Sequence, residues 1–288
     1  MRPIHRTALL ALLITSSALA LPARQESVHA QKLALSDGKT DANTSEIGGL
    51  TEASQFTFVL TEHQGTKVST TQCFADGAKF RLEPQESKTA DHPEGMYAVS
   101  LDGGHTTYLV NPAERQFTRV DAEALKAKAL EKLSALNKQT GLQIDSPKVE
   151  TVLTEPGETL DGHATRHYKL RISYSMHFLK NNASRSYVEY QDLWMASDIE
   201  RKGAPDILIY FRPTGDARID GAWERELAQI PGFPLQQVTL RTEVNEEGNS
   251  SVLRLSREIT DVRTAPVPAS LFVLPTGYKE VAGQEEIR

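Results

Sequence analysis

RHYKLRISYSMHF, residues 166–178, is the stretch on which the fold turns. Tyr168, Leu170, Ile172, Tyr174, Met176 and Phe178 alternate with His167, Lys169, Arg171, Ser173, Ser175 and His177. A helix would scatter both sets around its circumference. A strand sends successive side chains to opposite faces. The alternation therefore predicts one long strand with an apolar face that needs a cover and a polar face that meets water.

The same period of two extends outward from it. Residues 185–196 are placed to pair with this strand across Lys180-Asn181-Asn182. Residues 235–244 and 251–262 form a hairpin around Glu246-Glu247-Gly248-Asn249. Upstream, Phe56, Phe58 and Leu60 alternate with Thr57 and Val59. Strands follow at 68–74 and 78–82, joined at Ala75-Asp76-Gly77, and at 96–101, 106–110 and 116–120. Residues 148–154 make a further strand before turns at Pro156-Gly157 and Asp161-Gly162. Residues 271–274 close the series.

Two segments have helical spacing. Leu125, Ala129, Leu133 and Leu136 form a stripe over 121–139, read as facing the core, with Asp121 as N-cap and Gly141 as the stop. Ile219, Trp223, Leu227 and Ile230 repeat that spacing over 217–230, before Pro231 and Pro234. Residues 207–211 are a short apolar run of no assigned type. About ten or eleven strands, mostly hairpin-connected and without regular strand-helix alternation, argue against a doubly wound fold. The expected class is mainly β (α+β): a curved antiparallel sheet forming a half-barrel, covered by about two helices.

Residues 1–20 read as a signal peptide. Arg2, His5 and Arg6 precede the apolar run TALLALLITSSALA at 7–20, and Ala18-Leu19-Ala20 supplies a cleavage site after Ala20. The run has 14 residues, short of the about 20 that cross a bilayer. A periplasmic or secreted protein with no transmembrane anchor after cleavage is expected. Residues 21–53 read as a flexible polar leader, 54–280 as a single β domain and 281–288 as a short polar tail. Loss of Arg2 and Arg6 with the signal moves the formal charge from −6 to −8. That argues against unaided binding to nucleic acid. Cys73, the only cysteine, allows no internal disulfide and no Cys-rich zinc site, and reads as a half-buried strand residue.

Three segments carry a family resemblance. They are Asp192-Leu193-Trp194-Met195-Ala196-Ser197-Asp198, Pro231-Gly232-Phe233-Pro234-Leu235, and the stretch from Val267-Pro268-Ala269-Ser270 through Leu274-Pro275-Thr276-Gly277-Tyr278. With the order of elements over residues 54–278, they resemble the bacterial lipoprotein carriers (LolA-like) and their exported relatives. The resemblance implies a curved sheet around a helix-covered apolar cavity, used for acyl chains or for a partner protein. No binding residue is carried over, because no binding motif is matched. The polar leader, the helix at 121–139 and the length depart from the dedicated carriers.

Enzymatic motifs are absent: no Gly-x-Ser-x-Gly, no P-loop, no dinucleotide fingerprint. His163 and His167 precede or sit on an extended strand, too far apart for one metal. Glu189 and Asp192 have odd spacing, which sends them to opposite faces and rules out joint acid–base work. No catalytic residue, metal or cofactor is assigned. The candidate cavity lining is Phe56, Phe58, Tyr168, Leu170, Ile172, Tyr174, Met176 and Trp194, in a wider aromatic series that includes Phe178, Tyr187 and Phe272. The alternative is a closed core. Arg257 stands in phase with Leu253, Leu255 and Ile259, so it marks a bulge, an internal ion pair or a ligand anchor. The expected function is non-enzymatic binding of a lipid or other apolar ligand. The alternatives are an envelope interaction or sensor module with a protein partner, and a hydrolase without a recognisable motif.

Overall fold

The computed structural model describes residues 55–85, 95–199 and 208–282. The expected signal peptide, the whole of the leader and most of the tail lie outside them. Twelve strands form one open, curved sheet. In chain order they are β1 (Gln55–Gln64), β2 (Lys67–Asp76), β3 (Lys79–Pro84), β4 (Tyr97–Ser100), β5 (Thr106–Asn111), β6 (Gln116–Asp121), β7 (Leu142–Leu160), β8 (His163–Phe178), β9 (Ala183–Ala196), β10 (Phe233–Asn245), β11 (Ser250–Thr264) and β12 (Lys279–Glu280). Helix α1 (Ala122–Thr140) joins β6 to β7, and α2 (Ala217–Ala228) precedes β10. The order across the sheet is β12-β6-β5-β4-β3-β2-β1-β11-β10-β9-β8-β7. Every pairing is antiparallel except β12 with β6. The pairing of β1 with β11 brings the two ends of the domain into one sheet.

The decisive strand behaves as its alternation requires. Tyr168, Leu170, Ile172 and Tyr174 are buried, while Lys169, Arg171 and Ser173 between them are partly exposed. β9 pairs with it in register, Tyr168 opposite Leu193 and Tyr174 opposite Tyr187. The apolar faces of both strands therefore coincide.

Four expectations need correction. Pro156-Gly157 is not a turn: β7 runs through it as a bulge, with the register shifting between Pro156 and Thr159. A proline is tolerated there because β7 is an edge strand and the ladder is already broken by the bulge. Residues 271–274 are not a strand. Ala269–Phe272 is a 3-10 turn whose Phe272 plugs a small cluster with Tyr97, Val99 and Val110. The pairing at this end comes from β12 instead. Helix α1 has its predicted caps, with Asp121 accepting from the Ala124 N–H at 2.9 Å and Gly141 left-handed at φ 67. Its leucine stripe does not enter the core, since none of its residues is buried. Cys73 is fully buried rather than half-buried, and that desolvation pushes its thiol far above the ordinary range.

Candidate functional site

The sheet buries two clusters on its inner face. At β1–β3, Phe56 and Phe58 pack against Phe233 edge-on, with ring centroids 5.4 and 5.6 Å away. This part is filled by its own rings. At β8–β10 the inner face meets a cover, residues 208–230, which includes α2. Ile209, Ile219, Trp223 and Ile230 from the cover pack on Tyr168, Leu170, Ile172, Tyr174, Leu193 and Met195. Helix α2 is amphipathic, with Ile219 and Trp223 buried and Asp216 capping its start.

Between sheet and cover lies a band of buried polar side chains. Register fixes their rows. Arg241 stands opposite Glu189, and Thr239 opposite Gln191. Gln237 stands opposite Arg257, and Arg257 opposite Glu62. All project from the apolar face, because each is in phase with buried neighbours such as Leu193 and Leu235.

Glu189, 2% exposed, accepts from the Tyr187 hydroxyl at 2.5 Å, the Gln191 Nε2 at 2.6 Å and the Arg241 Nε at 2.9 Å. Burial alone would lower the Arg241 guanidinium. The charge of Glu189, joined by Tyr187 and Tyr210, reverses that and holds it above its ordinary range. Desolvation pushes the Tyr187 and Tyr174 hydroxyls far up, and the charge of Glu189 adds to both. Arg241 lies under the Tyr187 ring at 5.6 Å, and Tyr187 stacks on Tyr174 at 4.3 Å. Its Nη2, although buried, has no hydrogen-bond partner among the described residues.

The other polar groups fasten the cover. Gln237 grips the Tyr210 backbone twice, accepting its N–H at 2.6 Å and donating to its carbonyl at 2.9 Å. The Trp223 indole donates to Gln191 at 2.9 Å. Glu226 of α2 accepts from the Thr151 N–H and hydroxyl at 3.1 and 2.7 Å. Phe211 stacks on Trp223 at 4.0 Å.

Arg257 is inward and paired with Glu62 at 2.5 Å, 5.4 Å beneath the Tyr210 ring. The β1–β11 bulge lies further along, between Thr57 and Val59. The internal ion pair is therefore what explains its phase. Tyr168, Leu170, Ile172 and Tyr174 stand together under the cover, with Met176 half-buried at the rim. Trp194 does not join them. It sits on the outer face of β9, stacked on His167 at 4.4 Å. Its neighbours in phase are Asp192 and Tyr190, so period two excludes it from the inner face.

His167 is flanked by Asp192 at 2.8 Å and Glu155 at 3.1 Å, and His163 by Asp198 at 2.7 Å. Among the described residues no group of three or more His, Cys, Asp or Glu side chains is placed to hold a metal ion. Glu189 and Asp192 do face opposite sides. Gln191, Gln237 and Arg241 are the residues that sequence reading missed, and Glu189 entered it only as half of a rejected carboxylate pair. Their signal was the one that picked out Arg257: a polar side chain in phase with buried apolar ones.

No protein-family model matches the chain, and no curated protein matches it. Among solved structures it is similar to a chain of the Pseudomonas aeruginosa MucA/MucB complex, at 13% identity and a TM-score of 0.31. The match covers 77% of this chain and 57% of that one, so the chain spans just over half the length of the solved protein. At that identity and score the likeness adds nothing to the strand order given above. No helix among the described residues is long and apolar enough to cross a membrane.

Proposed function

We propose that this is a non-enzymatic, exported binding protein that takes an apolar, lipid-like ligand between the inner face of β8–β10 and the 208–230 cover. One observation carries the reading. The cover is fastened over an apolar face by discrete hydrogen bonds to buried Gln237 and Gln191, and by half-buried Glu226 to Thr151 of β7. A permanently closed core has no need of these, because apolar side chains would fill it at lower desolvation cost.

The energies permit exchange. Each cover contact of this kind contributes about 1 kcal/mol net. The apolar cover side chains contribute roughly 1.5–3 kcal/mol each. A chain of ten methylenes recovers about 8 kcal/mol on burial. A lipid tail can therefore offset displacement of three or four cover side chains. Of the sequence-predicted lining, Ile172, Tyr174 and Met176 would receive the tail, with Trp223 moving away. The LolA-like resemblance points the same way. Phe56 and Phe58 contribute packing only.

The test is native mass spectrometry of the gently purified protein, together with titration of an apolar fluorescent probe. Saturable binding at one site, with a change in Trp223 emission, is expected. Absence of both bound lipid and probe binding would refute the proposal.

A second reading, an envelope interaction module, has its own observation. On the outer face Leu240 lies opposite Tyr190, and Val252 on the next strand is 63% exposed. Such apolar surface suits a protein partner. A stoichiometric partner recovered from the native envelope, and lost in Leu240→Glu, would favour it.

A further inference from the structure

On the inner face a buried polar row gives way outward to an apolar strip along β8, flanked by the Arg185–Glu243 pair. Counting outward along the register, Glu189 and Arg241 form one row, Tyr174 and Tyr187 the next, Met176 and Arg185 the next, and Phe178 the last. Met176 and Phe178 are half-buried, and Leu179 beyond them is 62% exposed. An apolar track thus leads from solvent to a buried guanidinium.

That guanidinium is incompletely used. Glu189 already accepts three hydrogen bonds, and Arg241 gives it only Nε. The buried Arg241 Nη2 has no acceptor among the described residues. A buried N–H of a charged group is costly to leave unmet, so the site suits an acceptor from outside the chain. The acidic group nearest the rim, Glu243, is paired with Arg185 at 3.5 Å.

We infer that Arg241 receives the carboxylate head of a single-chain amphiphile, of the fatty-acid class, whose tail runs outward over Tyr174, Met176 and Phe178. The inference rests on the reading that the half-barrel holds an apolar ligand, and adds the head group that the ligand must carry. A compact carboxylate fits one open guanidinium edge through a charge-assisted bond. The track of aromatic and thioether side chains suits an unbranched chain.

The experiment titrates the full exported chain with dodecanoate, dodecan-1-ol and dodecyl phosphate, following intrinsic fluorescence and calorimetry. Dodecanoate should bind at least about tenfold more tightly than dodecanol, the ratio expected of one charge-assisted bond. In the double variant Glu189→Gln/Arg241→Gln, which removes both charges together, that ratio should fall to about one. Equal binding of acid and alcohol to the wild-type protein would overturn the carboxylate assignment and leave the apolar-ligand reading standing. So would a preference for acid that survives in the double variant. Tighter binding of dodecyl phosphate would replace the carboxylate by a phosphate head. Failure of all three to bind would sink both readings. The wild-type comparison decides the matter even if the variant does not fold.

Discussion

Glu189→Gln should be among the most damaging single substitutions in the domain. The change is nearly isosteric, so packing is held constant and charge is removed. The carboxylate is 2% exposed and receives donors from Tyr187, Gln191 and Arg241. An amide offers one acceptor oxygen and turns its NH2 toward one of those donors. The Arg241 guanidinium, with a side chain 5% exposed, then has no counter-charge in contact. Breaking one partner of a buried pair costs about 3–5 kcal/mol. That is a large share of a typical total of 5–15 kcal/mol. At a urea slope of about 3 kcal/mol per M, the midpoint should fall by about 1–1.7 M. Trp223 emission reports the transition, because its indole bonds to Gln191, which in turn bonds to Glu189. Arg241→Met should cost a similar amount, because it strands the Glu189 carboxylate without its partner in the same dry surroundings. The double variant Glu189→Leu/Arg241→Met should recover most of the loss, giving a large coupling energy. If Glu189→Gln costs under about 1 kcal/mol, or if the double variant costs the sum of the singles, the pair is not what closes this part of the core.

Other predictions concern separate places. Gly232→Ala should destabilise by about 2 kcal/mol or more, because Gly232 holds φ 90 and an added Cβ would collide with the Ala196 carbonyl oxygen; thermal melting checks it, and an unchanged Tm would refute it. Tyr174 and Tyr187 should stay protonated when ordinary tyrosines ionise near pH 10. Their folded values are raised, so their contribution to stability is complete below about pH 10 and is lost as pH rises above it; ultraviolet titration should show these rings ionising only with unfolding. Cys73 should resist aromatic disulfide reagents until denaturant is added, since desolvation keeps its thiol protonated; rapid labelling of the folded protein would contradict that. Asp216 lies below the usual carboxylate range, through its hydrogen bonds with Arg218, against a smaller opposing effect of burial. Its capping of α2 should be complete above about pH 4 and lost below it, as helix circular dichroism would record.

The errors of sequence reading have a common form. Period two placed Tyr168 through Tyr174 correctly, because one strand's own pleat decides which side chains share a face. It also held the information that Trp194 faces away, since Trp194 is in phase with Asp192. Chemical type was allowed to outweigh phase there. Helix α1 was legible in its caps and length, which are local. Its burial was not, because a leucine stripe shows that a face is apolar and not that any partner reaches it. The strand expected at 271–274 failed for a similar reason. Leu271, Phe272, Val273 and Leu274 are apolar without alternation, and Phe272 is buried through a 3-10 turn rather than through pairing.

The amino-acid order by itself determined the local things: where most strands run, which of their faces is apolar, where the helices begin and end, and that Arg257 stands in phase with the apolar residues of its strand. These follow from the pleat and the helical turn, both of which act over a few residues. Only the tertiary structure decided that Arg257 pairs with Glu62, that β1 closes against β11, and that Gln191, Gln237 and Glu226 hold the cover. Those pairs join residues far apart in the chain, and their meeting depends on the register and curvature of the whole sheet, to which no short window of sequence has access.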